Sequence, residues 1–339
     1  MDCFLRAMKK TYKLLIALTL FAGGFHFAYA AETITNRQET QTTQRTPQKQ
    51  VTIIAQHFSS HYSTIAKSLS LSSLANNYRV VNMSLDDWQQ QQPESELVIS
   101  LGPTPLEELL KLQHKETVLA ALITYQEWRE LTSQYPKMES LSAIFYDPSP
   151  VRQIVLGKLL LPLSKSVGVM YSMENPFFIE EYEASLDAIG LSIETIKIKQ
   201  TTEVARRFPT LSQQSDFIIA QPDPIIYNSQ TLPKVLLSSY RQRKVIIGYS
   251  TGIVGAGAVA TTYTNPEMLV KDLRESAINL LSRESAPFIR HSKYYDIKYN
   301  SEVARSLGLD IITKDQLQSE VDKLMNTINT NSDTQREKH

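Results

Sequence analysis

From Val51 onward, short apolar runs alternate along the chain with longer stretches in which apolar positions recur at helical spacing. Short runs rich in Val, Ile and Leu, bounded by polar or turn-forming residues, predict buried strands. The predicted strands are residues 51–55, 78–83, 97–101, 118–123, 141–146, 167–171, 192–198, 217–220, 245–248, 259–263 and 295–299. The longer amphipathic stretches predict helices over residues 105–114, 151–161, 176–189, 230–241 and 267–281.

Strands that alternate with helices predict βαβ units with parallel sheets, and therefore an α/β fold. The alternation forms two series, which break at residues 147–150 (DPSP), where two prolines interrupt the chain. We therefore expect two doubly wound lobes that face each other across a cleft; the resemblance described below implies that they are Rossmann-like and joined by a hinge. In such sheets, ligands bind outside the carboxyl ends of the strands.

The N-terminus has the layout of a secretory signal peptide. Four basic residues precede an apolar run over residues 14–27, and the tripeptide at 28–30 (AYA) places small residues at the two positions that determine cleavage. The alternative is a membrane anchor, but the run is shorter than the roughly 20 apolar residues of a membrane span, and Gly23, Gly24 and His26 interrupt it. We expect cleavage after Ala30 and a mature protein in the periplasm.

Composition and pattern together predict the division of the chain. Residues 31–50 and 326–339 are too polar to bury enough surface to offset the entropy of ordering, so we expect a flexible leader and a disordered tail. Between them, lobe 1 is assigned residues 51–147 and about 258–285, and lobe 2 is assigned residues 148–257 and about 286–325.

Charge and cysteine content exclude several function classes. The 339-residue chain has 35 basic and 35 acidic side chains, so it lacks the basic excess of a nucleic-acid binder. Loss of the signal peptide would remove four basic residues and one acid, leaving 31 and 34, a net charge of −3. The single cysteine, Cys3, would leave as well, which excludes disulfides, thiolate catalysis and cysteine-ligated metals in the mature protein.

Three motifs suggest chemistry but lack the local structure that the chemistry requires. Residues 248–252 (GYSTG) match the nucleophile elbow of serine hydrolases, and Asp272 and His291 follow in the required order. The elbow needs a helix directly after Ser250, whereas residues 253–259 are glycine-rich and β-branched, so we expect none. The same sequence criterion argues against a dinucleotide-binding fingerprint at residues 255–260 (GAGAVA), because the chain continues as a predicted strand.

His57 and His61 have the i,i+4 spacing at which two imidazoles can share a metal on one helix face. No acid or third histidine lies near them in the sequence. We therefore interpret them as solvated histidines and predict no metal and no cofactor.

Many short stretches from Ala143 to Leu309 resemble the substrate-binding proteins of ABC transporters. They are most similar to a poorly characterised proteobacterial subgroup within the tryptophan/tyrosine-type branch. The stretches that carry the resemblance are residues 143–147 (AIFYD), 167–171 (VGVMY), 221–224 (QPDP), 239–241 (SYR), 247–250 (IGYS), 255–258 (GAGA), 296–300 (DIKYN) and 303–309 (VARSLGL). This resemblance implies a type I periplasmic-binding-protein fold with three crossings between the lobes and a small ligand held between them.

The resemblance also implies positions for the ligand site. On the second lobe these positions lie at strand ends or at the start of the following helix, and they are Tyr171, Ser172, Asn175, Asp223 and Ser250. On the first lobe, Thr104 lies in a loop that loosely matches a glycine-threonine loop of the family, and the loop that contains Phe58 departs from the family pattern.

Elementary electrostatics adds a chemical interpretation. A helix N-terminus favours a carboxylate or phosphate, whereas Asp147 or Asp223 can pair with an ammonium group. Aromatic residues such as Phe58, Tyr125, Tyr171 or Phe177 can face an apolar part of a ligand. The alternative is that the two aspartates, each followed by proline, only shape turns.

The sequence therefore predicts a periplasmic solute-binding protein, with no catalytic residue, that passes a small organic solute to an inner-membrane ABC permease. We expect a monomer that binds no nucleic acid. Two alternatives remain: a sensory binding protein that presents its ligand to a membrane receptor, and a periplasmic serine hydrolase that uses Ser250.

Overall fold

The computed structural model describes residues 49–309 and 312–336, with side chains described as far as residue 328. The predicted signal peptide and nearly all of the predicted leader lie outside the described residues. No helix in the described part of the chain is both long enough and apolar enough to cross a membrane.

Strands and helices alternate along the chain, as the hydrophobic pattern predicts. The strands are β1 Gln50–Ala55, β2 Arg79–Ser84, β3 Leu97–Leu101, β4 Thr117–Ile123, β5 Leu141–Phe145, β6 Ser166–Ser172, β7 Ser192–Ile198, β8 Phe217–Ile219, β9 Val245–Ile247, β10 Ala260–Tyr263, β11 Ile289–His291 and β12 Asp296–Tyr299. The helices are α1 Ser60–Ser70, α2 Leu74–Asn77, α3 Leu85–Gln91, α4 Pro103–Lys111, α5 Tyr125–Gln134, α6 Pro150–Leu160, α7 Glu183–Ala188, α8 Val204–Gln214, α9 Leu232–Arg241, α10 Thr251–Ala256, α11 Pro266–Leu281, α12 Ser301–Ser306 and α13 Lys314–Arg336. Two short 3₁₀ helices span Ile179–Glu181 and Thr201–Glu203.

The strands form two six-stranded sheets, one in each lobe. The first sheet has the order β2-β1-β3-β4-β5-β11 and is parallel throughout. The second has the order β7-β6-β8-β9-β10-β12, with only the edge strand β12 antiparallel. Every residue of the central strands β3 and β5 is buried because helices cover both faces of the sheet, which explains their continuously apolar sequences.

The chain crosses between the lobes at three places, which we call the hinge segments: residues 146–149, 264–265 and 292–295. The third segment is tied to the second, since Thr264 Oγ1 donates to the Tyr294 carbonyl at 3.0 Å, and to α6 just after the first, since Arg152 Nη2 donates to the Ser292 carbonyl at 3.0 Å. The structure therefore confirms the α/β class and the two-lobed architecture.

The later crossings differ from the sequence assignment. Residues 258–285 were assigned to lobe 1, but β10 pairs with β9 and β12 in the second sheet. The chain then enters lobe 1, where the apolar side of α11 packs into its core and β11 extends the first sheet, before returning to lobe 2. The sequence of a short apolar strand is compatible with either sheet. Contacts between residues far apart in sequence decide which sheet the strand joins.

Two further expectations are wrong. The helix predicted over residues 176–189 is instead a 3₁₀ turn followed by the short α7. The tail predicted to be disordered from residue 326 continues as α13 to Arg336. Leu317, Val321 and Ile328 of this helix are buried against the second lobe, so a few apolar side chains anchor a mostly polar segment.

Candidate functional site

A cavity of about 450 Å³ lies between the lobes beside the first hinge segment. Its walls are built from the residues that follow β4 and β5 in the first sheet and β6, β8 and β9 in the second. This is the carboxyl edge of both sheets, where α/β proteins of this kind bind ligands.

The first-lobe wall is the N-terminus of α5, which is held by a capping box. Thr124 Oγ1 accepts a hydrogen bond from the Glu127 amide at 3.1 Å, and Glu127 Oε2 accepts one from the Thr124 amide at 2.7 Å. Just before it, Leu122 has a left-handed backbone, with φ of 53°, where the pairing of β4 with β5 shifts register. Irregularities of this kind redirect the chain and occur preferentially beside functional sites.

Asp147, in the first hinge segment, lies at the base of this wall. Its Oδ1 accepts a hydrogen bond from the Tyr125 amide at 3.1 Å. Burial raises the pKa of Asp147 to about 7; this amide contact opposes the shift, and the Glu127 charge adds to it.

His291 supports Asp147 from behind through its backbone. Its Nδ1 lies 2.9 Å from the Asp147 carbonyl oxygen, and burial lowers the pKa of the imidazole to about 4. The ring is therefore neutral at pH 7, and because a carbonyl only accepts, we assign the proton to Nδ1.

The second-lobe wall is organised around Asp223, which is almost fully buried. Its Oδ2 accepts from the Ser172 amide at 2.8 Å and its Oδ1 from the Ile225 amide at 3.0 Å, so the carboxylate ties the end of β6 to the loop after β8. Asn175 adds a second tie, because its side-chain amide donates to the Pro222 carbonyl. The geometry favours the turn-shaping interpretation of Asp223, although the residue also lines the cavity.

Asp223→Asn should lower the free energy of unfolding by about 1–2 kcal/mol, because the new NH₂ group faces a backbone N–H and leaves that buried donor without an acceptor. Urea denaturation of the variant and the wild type measures the difference. Unchanged stability combined with lost solute binding would instead assign Asp223 to direct ligand contact.

Aromatic side chains cover much of the cavity surface. The aromatic lining residues are Tyr125, Phe177, Phe178, Tyr182 and Tyr249. Phe177 and Tyr182 are stacked with their ring centres 4.9 Å apart, which fixes both rings on the second-lobe side. An apolar or aromatic ligand body would therefore meet rigid surfaces.

One ion pair connects the two lobes across the side of the cavity. Arg129 Nη1 lies 2.6 Å from Glu181 Oε1, and the Tyr125 hydroxyl donates to Glu181 Oε2 at 2.6 Å. The Arg129 guanidinium also lies over the Phe178 ring, 4.1 Å from its centre. We call Tyr125, Arg129 and Glu181 the interlobe latch, because two members belong to α5 of lobe 1 and the third belongs to lobe 2.

The structure brings four of the eight sequence-predicted site residues to the cavity: Asp147, Ser172, Asn175 and Asp223. The other four lie outside it. Phe58 packs against the first-lobe core and Tyr171 against the second-lobe core. Thr104 Oγ1 faces Gln56 Oε1 at 3.4 Å, where β1 and β3 end, and Ser250 is the N-cap of α10.

Sequence reasoning missed most of the α5 wall and the contribution of Tyr182 and Tyr249. The signal for the wall was present: Thr124 and Glu127 have the S/T-x-x-E spacing of a capping box directly after a predicted strand. That spacing marks a helix N-terminus at the carboxyl edge of the sheet.

The expectation that no helix follows Ser250 is wrong, since α10 begins at Thr251. The hydrolase interpretation fails for a different reason. Asp272 accepts two hydrogen bonds from the Arg290 guanidinium, at 2.6 and 2.8 Å, and His291 Nδ1 is occupied by the Asp147 carbonyl. The acid and the base are thus engaged elsewhere rather than with each other, so they do not form a triad with Ser250.

The other two motifs also have structural explanations. Gly257, with φ of 129°, ends α10 rather than opening a helix, which is the reverse of a dinucleotide fingerprint. His57 and His61 are exposed on either side of the start of α1. Within the described residues, no group of three His, Cys, Asp or Glu side chains is arranged to hold a metal ion.

Comparison with solved structures gives the fold an independent basis. The chain resembles a ligand-free, open structure of a substrate-binding protein with adhesive properties from Clostridium difficile, with 16% identity over 79% of this chain and 97% of that one and a TM-score of 0.59. A weaker likeness, with a TM-score of 0.48, relates it to a Streptococcus pneumoniae domain solved with L-Trp, at 19% identity over 78% and 96% of the two chains. No curated protein matches the sequence significantly.

Two parallel α/β lobes, joined by three hinge segments around a cavity, define a protein with the type I periplasmic-binding-protein fold. Residues 131–322 match the family model for ABC transporter substrate-binding proteins, and this segment contains all of the stretches on which the sequence resemblance rests. The chain belongs to that family.

Proposed function

We propose that this protein captures a small organic solute in the interlobe cavity and delivers it to an inner-membrane ABC permease. The observation that carries the proposal is the cavity between the lobes, with walls from both sheets and the first hinge segment at its base. A solute in that position contacts both lobes only when they are close together, so binding favours the closed form. A volume of about 450 Å³ suits a small organic molecule.

The N-terminal sequence supports a periplasmic location for this activity. The basic segment, the apolar run over residues 14–27 and the AYA tripeptide together fit export followed by cleavage after Ala30. The released protein would be a soluble carrier that performs no chemistry.

A thermal-shift screen against amino acids, amines, purines and small aromatic acids tests the capture step. A solute at 100 times its Kd should stabilise the protein by about 2.7 kcal/mol, which is readily measured. Small-angle scattering of the same pair should show a more compact particle than the protein alone.

The variant Glu181→Gln tests the closure step. It removes the negative charge of the interlobe latch but changes no residue that lines the cavity. Unliganded Glu181→Gln should be more expanded than the unliganded wild type, and solute should restore compaction. A screen without any stabilising solute, or tight binding without compaction in either protein, would contradict the proposal.

A further inference from the structure

The charges around the cavity are of one sign. Five carboxylates line it, on Glu127, Glu130, Asp147, Glu174 and Asp223, whereas none of the described lining residues is Lys, Arg or His. Arg129, on the same helix as Glu127 and Glu130, is already paired with Glu181 and stacked on Phe178. A ligand in the cavity therefore meets five carboxylates that no described lining cation neutralises, and the partial positive charge at the N-terminus of α5 offsets only a fraction of that negative charge.

The side-chain amides of the wall already donate hydrogen bonds within the protein. Gln126 donates to Glu130 at 2.8 Å, Gln221 donates to the Asn175 carbonyl at 3.2 Å, and Asn175 donates to the Pro222 carbonyl. The amide of Gln153 donates to Thr261 Oγ1 at 3.0 Å. A ligand carboxylate or phosphate would therefore find no Lys, Arg or His in the described lining, and amides that are already engaged in holding the wall together.

Acceptors, in contrast, remain available at Asp147. Its Oδ1 receives the Tyr125 amide, and no cation is among the groups that act on its carboxyl. Burial raises its pKa to about 7, as expected for a carboxylate that has lost solvent without gaining a counter-ion. The rings of Tyr125 and Phe177, which face the same cavity, favour a cation over their faces.

The carboxylates are too dispersed for an inorganic ion, since no three acidic or histidine side chains among the described residues converge on a metal position. With five carboxylates, no described lining cation, a free acceptor at Asp147 and aromatic rings in the wall, the complementary ligand is a positively charged donor with an apolar body.

We propose that the solute of this cavity is an organic cation, an amine or quaternary ammonium compound with an apolar or aromatic body, whose charged group pairs with Asp147. The inference rests on the proposed function, because it assigns the ligand class of the same cavity. It excludes solutes whose main recognition group is an anion.

A charge-matched panel tests the ligand class. Benzyl, 2-phenylethyl and n-butyl bodies are each presented with an ammonium, a hydroxyl and a carboxylate head group, and calorimetry measures each Kd. At least one ammonium compound should bind about tenfold or more tightly than its neutral and anionic counterparts. An alcohol or carboxylate that equals its amine would overturn the inference.

The variant Asp147→Asn tests whether the carboxylate of Asp147 binds the charged group of the ligand. The asparagine oxygen can still accept from the Tyr125 amide, so the fold is kept while the charge is lost, and an unliganded melting curve verifies this. Affinity for the best ammonium compound should fall about tenfold or more, whereas the control Asp187→Asn, at an exposed position of α7, should bind as the wild type does. Equal weakening in both variants, or none in Asp147→Asn, would contradict the assignment.

A pH series with benzyltrimethylammonium, whose charge is permanent, gives a readout that a structural role for Asp147 would not produce. Below its pKa the carboxyl is protonated, so wild-type affinity at pH 6 should be about tenfold lower than at pH 8. The affinity of Asp147→Asn should be the same at pH 6 and pH 8. The groups that face Asp147 are Tyr125, Glu127, Tyr146, Tyr182 and His291; the tyrosine pKa values are raised above 10 and that of His291 lies at about 4.

The failure of this inference is distinguishable from the failure of the proposed function. If no panel compound binds but the general screen finds a neutral or anionic solute, only the cation assignment falls. If neither the panel nor the screen yields a ligand, the solute-binding proposal falls with it.

Discussion

Asp272→Asn is expected to lower the free energy of unfolding by about 3–5 kcal/mol, the largest single-residue effect that we anticipate in this protein. Asp272 has no exposed surface and accepts two hydrogen bonds from the Arg290 guanidinium, at 2.6 and 2.8 Å. It also accepts from the Lys293 amide at 2.9 Å, which fastens the third hinge segment to α11. Neutralising the acid leaves the guanidinium without its counter-ion and puts an NH₂ group where the guanidinium and the Lys293 amide already donate.

Urea denaturation at pH 7 measures the loss, and Asp187→Asn, at an exposed position of α7, is the matched control that should change stability by less than about 0.5 kcal/mol. Burial alone would raise the pKa of Asp272, but the Arg290 contacts hold it below its usual value. The contribution of the ion pair is therefore complete above about pH 4 and is lost as pH falls through the lowered pKa, so the gap between wild type and variant should close in acid. A loss under 1 kcal/mol at pH 7 would contradict this account.

Gly157→Ala is expected to destabilise the protein by about 2–3 kcal/mol, although alanine is the better helix former. Gly157 lies inside α6, and a Cβ atom there would come within 2.2 Å of Cε2 and 2.5 Å of Cδ2 on the Phe217 ring. That ring is fully buried in the second-lobe core, so it has little room to move. The clash therefore outweighs the gain in helix propensity.

Gly255→Ala is the control, and its expected change in stability has the opposite sign. Gly255 lies in α10 with an ordinary helical backbone, and nothing lies within 4 Å of the position that its Cβ would take. The substitution should stabilise the protein by about 0.4–1 kcal/mol through the unfolded state. Thermal and urea denaturation of both variants compare the two glycines directly. If both substitutions stabilise the protein, or both destabilise it, the packing argument is contradicted.

The fold was predictable because its signals are local. Strands such as Leu97–Leu101 and Leu141–Phe145 are continuously apolar, and amphipathic helices separate them, which is sufficient to indicate parallel sheets. Two failures occur where a local pattern is short. Ile289–His291 is too brief to be recognised as a strand, and α10 forms despite its glycines because the Ser250 side chain accepts from the Ile253 amide.

The site was predictable only at strand ends that the family resemblance marks. Ser172, Asn175 and Asp223 lie at the cavity because β6 and β8 are neighbours in the second sheet. Phe58 and Thr104 also lie at strand ends, those of β1 and β3, but β4 and β5 are the strands of the first sheet whose ends reach the cavity. Which strand ends meet across the cleft depends on how the lobes face each other, and no local pattern carries that information.

The sequence by itself determined the α/β class and the division into two lobes around residues 147–150, because these follow from hydrophobic periodicity and turn chemistry. Only the tertiary structure decided that Asp147, rather than Asp223, keeps free acceptor capacity in the cavity, since it shows both oxygens of Asp223 bonded to backbone amides. It likewise decided that Tyr125 and Arg129 meet Glu181 across the lobes, 56 and 52 residues away in the chain. Charge balance and hydrogen-bond occupancy are properties of neighbours in space, which is why the chemistry of the cavity appears only once the chain is folded.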